Sequence, residues 1–408
     1  MQAPAPWWHH RPLLQRYLRD LLAAEWSALR PGQLALDPVW TDAMRIDQDL
    51  GADSLELMSL ATCLSRAIHL HQSGIEDYLL ARRSFGQWVD IAAAGLERFS
   101  SALTFSTSGS TGVAKTCNHA LENLQQEVDA LAGLFAGRQR ILTAVPAHHI
   151  YGFLFTVLLP STLGLAQDDI VDIRASSPAS LGNLVRPGDL VIGFPDYWRT
   201  FTKTGVQLPF DVWGVTSTAP CPDEVCLALE TTGLARLFQI YGSSETAGIG
   251  WRDSHRNPYQ LMPFWAFAAS DPQILYRSLP QGEQIEMQAQ DQLQKVTETL
   301  FHVGPRKDLA VQVGGINVFP AQVAARLREH PYVADAAVRL MRPEEGHRLK
   351  AFIVPSAKLS DTQQLADELN AWMDVHLTSP QRPRALRFGA QLPTTLEGKS
   401  ADWSLSQD

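Results

Sequence analysis

Residues 104–119 read TFSTSGSTGVAKTCNH, and no other stretch constrains this chain as strongly. The apolar run at 103–105 gives way to Thr107, Ser108, Gly109, Ser110, Thr111 and Gly112, and Lys115 follows three positions later. Small hydroxylated residues and glycines leave backbone N–H groups free to converge on anionic oxygens, and a lysine behind them adds a point charge. An ordinary polar turn is the plainer reading of a Ser/Thr/Gly cluster. The spacing to Lys115 favours a phosphate cradle instead, although the order G-x-x-x-x-G-K-[ST] is absent, which disfavours a simple P-loop.

The rest of the chain supplies a scaffold for such a loop. Short apolar runs at 141–145, 190–194, 212–215 and 238–241 read as buried strands separated by helical segments, the alternation of an α/β sheet whose ligand loops follow the strands. Upstream, Leu13, Leu14, Tyr17, Leu18, Leu21 and Leu22, then Leu57, Leu60, Ala61 and Leu64, then Tyr78-Leu79-Leu80 and Trp88-Val89-Ile91 give a small helical bundle. Downstream, strands are expected at 311–313, 336–340 and 349–354 and helices at 321–330 and 362–376, a small α+β unit. At 408 residues, 45% of them hydrophobic, the chain forms more than one core.

Composition narrows the partners. A net charge of −9 without a long basic run argues against nucleic acid or an acidic membrane. Cys63, Cys117, Cys221 and Cys226 show no zinc-site spacing and suit a reducing compartment as free thiols. With no apolar stretch of membrane length, no export signal at the start and no repeats, the expected location is the cytoplasm.

The loop at 107–115 resembles the phosphate loop of the adenylate-forming superfamily, [ST]-S-G-[ST]-T-G-x-P-K, with Ala114 in place of the proline. Further segments match that family in order. Pro146-Ala147-His148-His149-Ile150-Tyr151-Gly152 resembles P-x-x-H-x-x-G, which implies that His149 acts as a gate beside the incoming carboxylate. Tyr241-Gly242-Ser243-Ser244-Glu245 is similar to Y-G-x-T-E, implying an aromatic face for adenine, a hydroxyl for the α-phosphate and Glu245 as a Mg²⁺ ligand. Asp291 falls on the ribose-gripping aspartate, with a surface aspartate as the alternative. Arg306 falls on a nucleotide-contacting arginine and Asp308 on the hinge, where Pro305 replaces the usual glycine. Leu392-Pro393-Thr394-Thr395-Leu396-Glu397-Gly398-Lys399 reproduces L-P-x-T-x-x-G-K, which implies that Lys399 is the catalytic lysine offsetting the converging anions of adenylate formation. The family's portion before the phosphate loop is far longer than the space available here.

That space holds a second resemblance, covering residues 10–97. Asp49-Leu50-Gly51-Ala52-Asp53-Ser54-Leu55 resembles the D-L-G-x-D-S-L site of acyl carrier proteins, implying 4′-phosphopantetheine on Ser54 and a phosphopantetheinyl transferase as partner. Two roles stay open: modification of Ser54, or an N-cap by Asp53 or Ser54 for the helix that follows. Arg66, His69 and His71 replace the acidic face that carriers commonly show.

The fold expected is thus α/β and multidomain: a carrier-like helical domain at 1–97, a shortened adenylation core at 98–305 and a swivelling lid at 306–408. The expected function is activation of a carboxylic acid by ATP with Mg²⁺ to an acyl-AMP, then transfer to a phosphopantetheine thiol, on Ser54 or on a separate carrier or synthase. The alternatives are a ligase using free CoA, whose first domain only docks, and a non-catalytic nucleotide-binding scaffold. Tyr151, Phe194, Tyr197, Trp198, Trp213 and Trp251 tilt the acid towards a flat aryl or unsaturated one.

Overall fold

The computed structural model describes residues 6–30, 40–107, 115–307, 310–356, 362–393 and 401–405. Two compact units emerge, one formed by the chain up to Thr107 together with Lys115–Gly304, the other beginning at Pro305.

Helix α1 (Arg11–Leu29) carries Pro12 in its first turn, where a missing N–H costs nothing, and buries Leu13, Leu14, Tyr17, Leu18 and Leu22 along one stripe. Helix α2 (Ser54–Ala67) starts at a reciprocal box: Asp53 Oδ1 accepts from the amides of Leu55 and Glu56 at 2.8 and 2.9 Å, and Glu56 Oε2 accepts from the Asp53 amide at 2.9 Å. The short α3 (Tyr78–Ala81) leads to α4 (Phe85–Arg98), which repeats that device with Ser84 and Gln87. The helices anticipated around these apolar residues are all present.

What differs from a free-standing bundle is where the helices bury their stripe. The rings of Trp7 and Tyr17 each lie 5.2 Å from that of Phe153, and Phe105 lies 5.4 Å from the same ring. One hydrophobic core therefore runs without interruption from Trp7 through the helices to Phe301. Burying each such aromatic is worth on the order of 2–3 kcal/mol, so the helical layer and the sheet stabilise each other.

Strands β1 (Ala102–Thr107) and β2 (Lys115–Ala120) pair antiparallel, with Thr107 opposite Lys115, so the two ends of the phosphate-loop segment are held side by side. Helix α5 (Leu121–Leu134) follows. The main sheet has a parallel half, β3 (Arg140–Thr143), β4 (Ile170–Asp172), β5 (Asp189–Gly193), β6 (Trp213–Thr216) and β7 (Arg236–Ser243). It continues antiparallel through β8 (Ala247–Arg252) and β9 (Tyr259–Leu261). A separate three-stranded sheet contains β10 (Trp265–Phe267), β11 (Ile274–Ser278) and β12 (Gln284–Gln288). The chain then returns through β13 (Asp291–Lys295) and β14 (Leu300–Arg306), giving the order β13-β14-β9-β8-β7-β6-β5-β3-β4.

The pleat distributes side chains to both faces. Leu190 and Ile192 of β5 enter the core shared with the helices, whereas Val191 joins Leu142, Trp198 and Phe201 behind the sheet. Asp189, at the start of β5, is 1% exposed and is balanced by the Arg140 guanidinium at 2.6 Å. All four cysteines are buried free thiols. Among the described residues no helix is long and apolar enough to cross a membrane.

The second unit is the small α+β fold anticipated, with β15 (Val311–Val313), β16 (Ile316–Val318), a sheet of Val333–Leu340, Leu349–Pro355 and Ala385–Phe388, and helices Pro320–Leu327 and Thr362–His376. Lys350 is wholly buried there, its Nζ donating to Glu345 Oε2 and to the Trp403 carbonyl, both at 2.6 Å. Hydrogen bonding from Lys350 holds the Glu345 carboxyl down at about 2. The Ala401 amide donates to the Pro393 carbonyl at 2.9 Å, tying together the flanks of the segment that bears Lys399.

Candidate active site

The turn between β7 and β8 gathers several of the anticipated groups. Gly242 is required by sterics, because a Cβ there would stand 2.0 Å from the Ala247 carbonyl oxygen. Ser243 Oγ accepts from the amides of Glu245 and Thr246, both at 3.2 Å, so its hydroxyl organises the turn. Ser244, the next residue of the turn, is partly buried. On the other flank the Tyr241 hydroxyl donates to Asp291 Oδ2 at 2.9 Å. The two positions that the family resemblance assigns to adenine and ribose, fifty residues apart, are thereby hydrogen-bonded at the first residue of β13. The Tyr241 ring is half-buried, 5.8 Å from Tyr259 and 5.7 Å from Phe301.

Beneath this turn lies a layer that sequence reasoning missed. The His119 ring, on β2, hydrogen-bonds the Ser244 carbonyl at 2.7 Å, and burial lowers its pKa so that it donates as a neutral imidazole. Glu127, on α5, is 1% exposed and both its oxygens accept from the Gly248 amide at 3.0 Å. Arg277 donates to the carbonyls of Thr246 and Asn123 at 3.3 and 2.6 Å. Burial pushes the Glu127 carboxyl up to about 7 against the opposing pull of Arg277 and the Gly248 amide. No spacing in the sequence links positions 119, 127, 246 and 277, so only tertiary contact reveals the layer.

A second cluster forms at the C-terminal ends of β3 and β5, the side where parallel sheets bind ligands. The loop 144–149 ends in the helix α6 (Ile150–Phe153), and Gly152 is again obligatory because a Cβ would come within 1.9 Å of the Pro146 carbonyl. The Tyr151 hydroxyl donates to the Gly193 carbonyl at 3.0 Å, and a π-helical stretch, Leu154–Leu158, follows at once. The rings of His148 and His149 lie 4.0 Å apart. Burial lowers the His148 pKa well below the usual range, helped by His149 and Arg174, and its Nδ1 has no hydrogen-bond partner. Solvent reaches His149, yet crowding lowers its pKa too, with the Asp20 charge opposing the shift. Desolvation thus works against protonation of both rings, most strongly at His148.

Of the remaining candidates, Thr107 and Lys115 end the two hairpin strands and Arg306 ends β14. Ser108, Gly109, Ser110, Thr111, Gly112, Asp308 and Lys399 lie outside the described residues. Ser54 is exposed as the first residue of α2, and Asp53 performs the capping. Among the described residues no group of three or more His, Cys, Asp or Glu converges on a metal site. A single carboxylate at Glu245 fits Mg²⁺, which keeps its waters and takes substrate phosphates as ligands, better than it fits a cation needing a protein cage.

The six aromatic residues expected near the acid do not form one wall. Tyr151 and Phe194 stand at the ligand-binding end, but Trp198 is wholly buried behind the sheet with its indole donating to the Val215 carbonyl. Trp213 opens β6 at the opposite end, covered by the Arg138 guanidinium 4.0 Å from its ring centroid. Packing claims both rings, Trp198 in the core behind the sheet and Trp213 against Phe238 at the edge of the core shared with the helices.

Residues 52–265 match the family described as AMP-binding enzyme, and residues 322–399 match the AMP-binding enzyme C-terminal domain. The chain belongs to the AMP-binding enzyme family. It is an adenylate-forming acid–thiol ligase, and the first match already includes Ser54. Similar curated proteins carry the name 4-coumarate–CoA ligase: that of Cereibacter sphaeroides is 40% identical over 370 residues, 89% of this chain and 86% of that one. Those of Halorhodospira halophila and Rhodobacter capsulatus are each 36% identical, covering 94% and 96% of this chain and 97% and 100% of theirs. Among solved structures, the amide bond synthetase McbA of Marinactinospora thermotolerans shares the fold at a TM-score of 0.61, with 17% identity over 95% of this chain and 92% of that one. A malonyl-CoA ligase complex shares it at 0.56, with 20% identity over 71% of each chain.

Proposed function

We propose that this family member activates an aryl-substituted unsaturated acid of the 4-coumarate class and delivers it to the thiol of free CoA. The observation that supports the reading is the Tyr241–Asp291 hydrogen bond beside the Ser243–Glu245 turn, which brings the residues we assign to base and sugar together at the end of β7. The acid oxygen attacks the α-phosphorus of ATP, giving acyl-AMP and releasing pyrophosphate. The thiol then attacks the acyl carbon, AMP leaves with the bonding pair, and the thiol proton is lost. Tyr241 and Asp291 orient the nucleoside, Ser244 and the 107–115 loop take phosphate oxygens, and His149 lines the acid's approach. Lys399 offsets the charge gathered at phosphorus. Glu245 would hold Mg²⁺, which when bound would supply neutralisation of the pyrophosphate charge. Arg306 contacts the nucleotide, and the second unit turns about Asp308 between the two half-reactions.

Three relatives that bear a CoA-ligase name are matched over 86–100% of their own length, which supports free CoA as the acceptor. A panel of aryl, cinnamic-type and aliphatic acids assayed by pyrophosphate exchange, with CoA consumption in parallel, tests the reading. Highest kcat/KM for hydroxycinnamic acids with stoichiometric CoA thioester supports it; preference for aliphatic acids, or adenylate without CoA transfer, overturns it. The exposure of Ser54 at a helix start favours one second reading, transfer to phosphopantetheine on the chain itself. Mass analysis of Ser54 after treatment with a phosphopantetheinyl transferase separates the two acceptors.

A further inference from the structure

The N-terminal helix reaches the histidine loop through one buried carboxylate. Asp20, on α1, is 5% exposed. Its Oδ2 accepts from the amide of Ala147 at 2.7 Å, inside the Pro146-Ala147-His148-His149 turn. Its Oδ1 accepts from Arg174 at 2.8 Å and from Arg19 at 3.0 and 3.1 Å. The same two guanidiniums grip Asp172 at the end of β4, at 2.9 Å from Arg19 and 2.5 Å from Arg174, while Arg16 donates to the Ile170 carbonyl at 3.1 Å. Helix α1 is thus bolted to the ends of β3 and β4 where the loop leaves the sheet.

The chemistry of this contact sets it apart from other ion pairs of the same helix. Arg11 with Asp90 of α4 and Arg30 with Glu56 of α2 join helical segments, and Arg11 with Asp42 ties α1 to a turn. Asp20 instead accepts a charge-assisted hydrogen bond from loop backbone, a short directional contact that fixes the Pro146–Ala147 peptide, one residue before His148. That contact anchors the backbone from which the two imidazoles project, and the negative charge of Asp20 favours protonation of His149 against the desolvation that lowers its pKa. Arg174 lowers the His148 pKa further, and Arg19 and Arg16 also face the Asp20 carboxylate.

Resting on the reading of acid activation above, we propose that Asp20 is a positioning residue for the carboxylic-acid subsite. Through Ala147 it locks the His148–His149 wall, so that the N-terminal helix takes part in setting which acid enters and how it lies.

Asp20→Ala removes both the amide acceptor and the charge, Asp20→Asn keeps an oxygen for Ala147 without the charge, and Arg30→Ala breaks an α1 bridge remote from the loop as a structural control. The expected result is a rise of about tenfold in KM for the acid with Asp20→Ala and a smaller rise with Asp20→Asn. KM for ATP should stay within about twofold in both. Hydrogen exchange at the Ala147 amide should accelerate in Asp20→Ala but not in Arg30→Ala. The His149 imidazole, followed by NMR, should titrate lower in Asp20→Asn. Equal shifts of KM for acid and ATP, the same acid effect in Arg30→Ala, or an unchanged Ala147 amide would overturn the proposal. If Asp20→Ala does not fold, Asp20→Asn against Arg30→Ala decides by KM and titration. A wild-type enzyme inert towards every acid would defeat the reading of acid activation, whereas Ala147 exchange and the His149 titration would still decide the clamp.

Discussion

Tyr241 is the residue at which two distant motifs become one site. Its ring offers a face, and its hydroxyl fixes the carboxylate of Asp291 at 2.9 Å. Tyr241→Phe keeps the face and removes the bond, so KM for ATP should rise about fivefold, the equivalent of a net hydrogen bond of roughly 1 kcal/mol, with the acid's KM unchanged. Steady-state kinetics with each substrate varied in turn checks this, and an unmoved KM for ATP would detach Asp291 from ribose binding. At Lys399 the expectation is larger: Lys399→Ala should slow acyl-AMP formation by about a hundredfold or more, as expected on losing one strong electrostatic stabiliser of the transition state. ATP binding should survive, and full adenylation in the mutant would remove the lysine from the mechanism.

The β7–β8 turn illustrates what one element demands of its surroundings. The Glu127 carboxyl is raised from 4.5 to about 7 by burial, so the folded state binds its proton more tightly than the unfolded chain does. The stability this contributes is complete below pH 4.5 and is lost as pH rises through about 7, a change of about 3 kcal/mol. Denaturant melts of wild type and Glu127→Gln across that window should show the slope flattening in the variant; parallel curves would mean that another group titrates. At the histidine loop, Gly152→Ala would force a methyl against the Pro146 carbonyl at 1.9 Å. The loop must shift, so thermal stability and acid binding should both fall, which a melt and a KM for the acid would register.

At the scale of the molecule, the shared core from Trp7 to Phe301 predicts that residues 1–97 do not behave as a detachable carrier. A chain starting at residue 98 should lose cooperative unfolding and expose the Phe105 and Phe153 rings, measurable by near-UV circular dichroism and dye binding. A cooperative melt in the shortened chain would show that the helices are dispensable. The division into two units at Gly304 and Pro305 places the boundary beside the anticipated hinge. Asp308→Pro restricts the backbone there, so adenylation should persist while thioester formation fails. Equal loss of both half-reactions would assign the segment a purely structural role.

The sequence by itself determined those features whose physical cause is local. The capped start of α2 and the strands around 141, 190, 213 and 238 were legible because a capping residue beside a helix start and a short continuous apolar run are written within a few residues of each other. Only tertiary structure decided which side chains share a space. Trp198 and Trp213 carry the same ring as a pocket residue and were claimed by packing, Tyr241 found Asp291 across fifty positions, and the buried carboxylates of Glu127 and Asp20 found a Gly248 amide and an Ala147 amide. Their partners lie more than a hundred residues away along the chain, where neither periodicity nor motif spacing carries information, and it is folding that brings donor and acceptor into a medium of low dielectric where the contact matters.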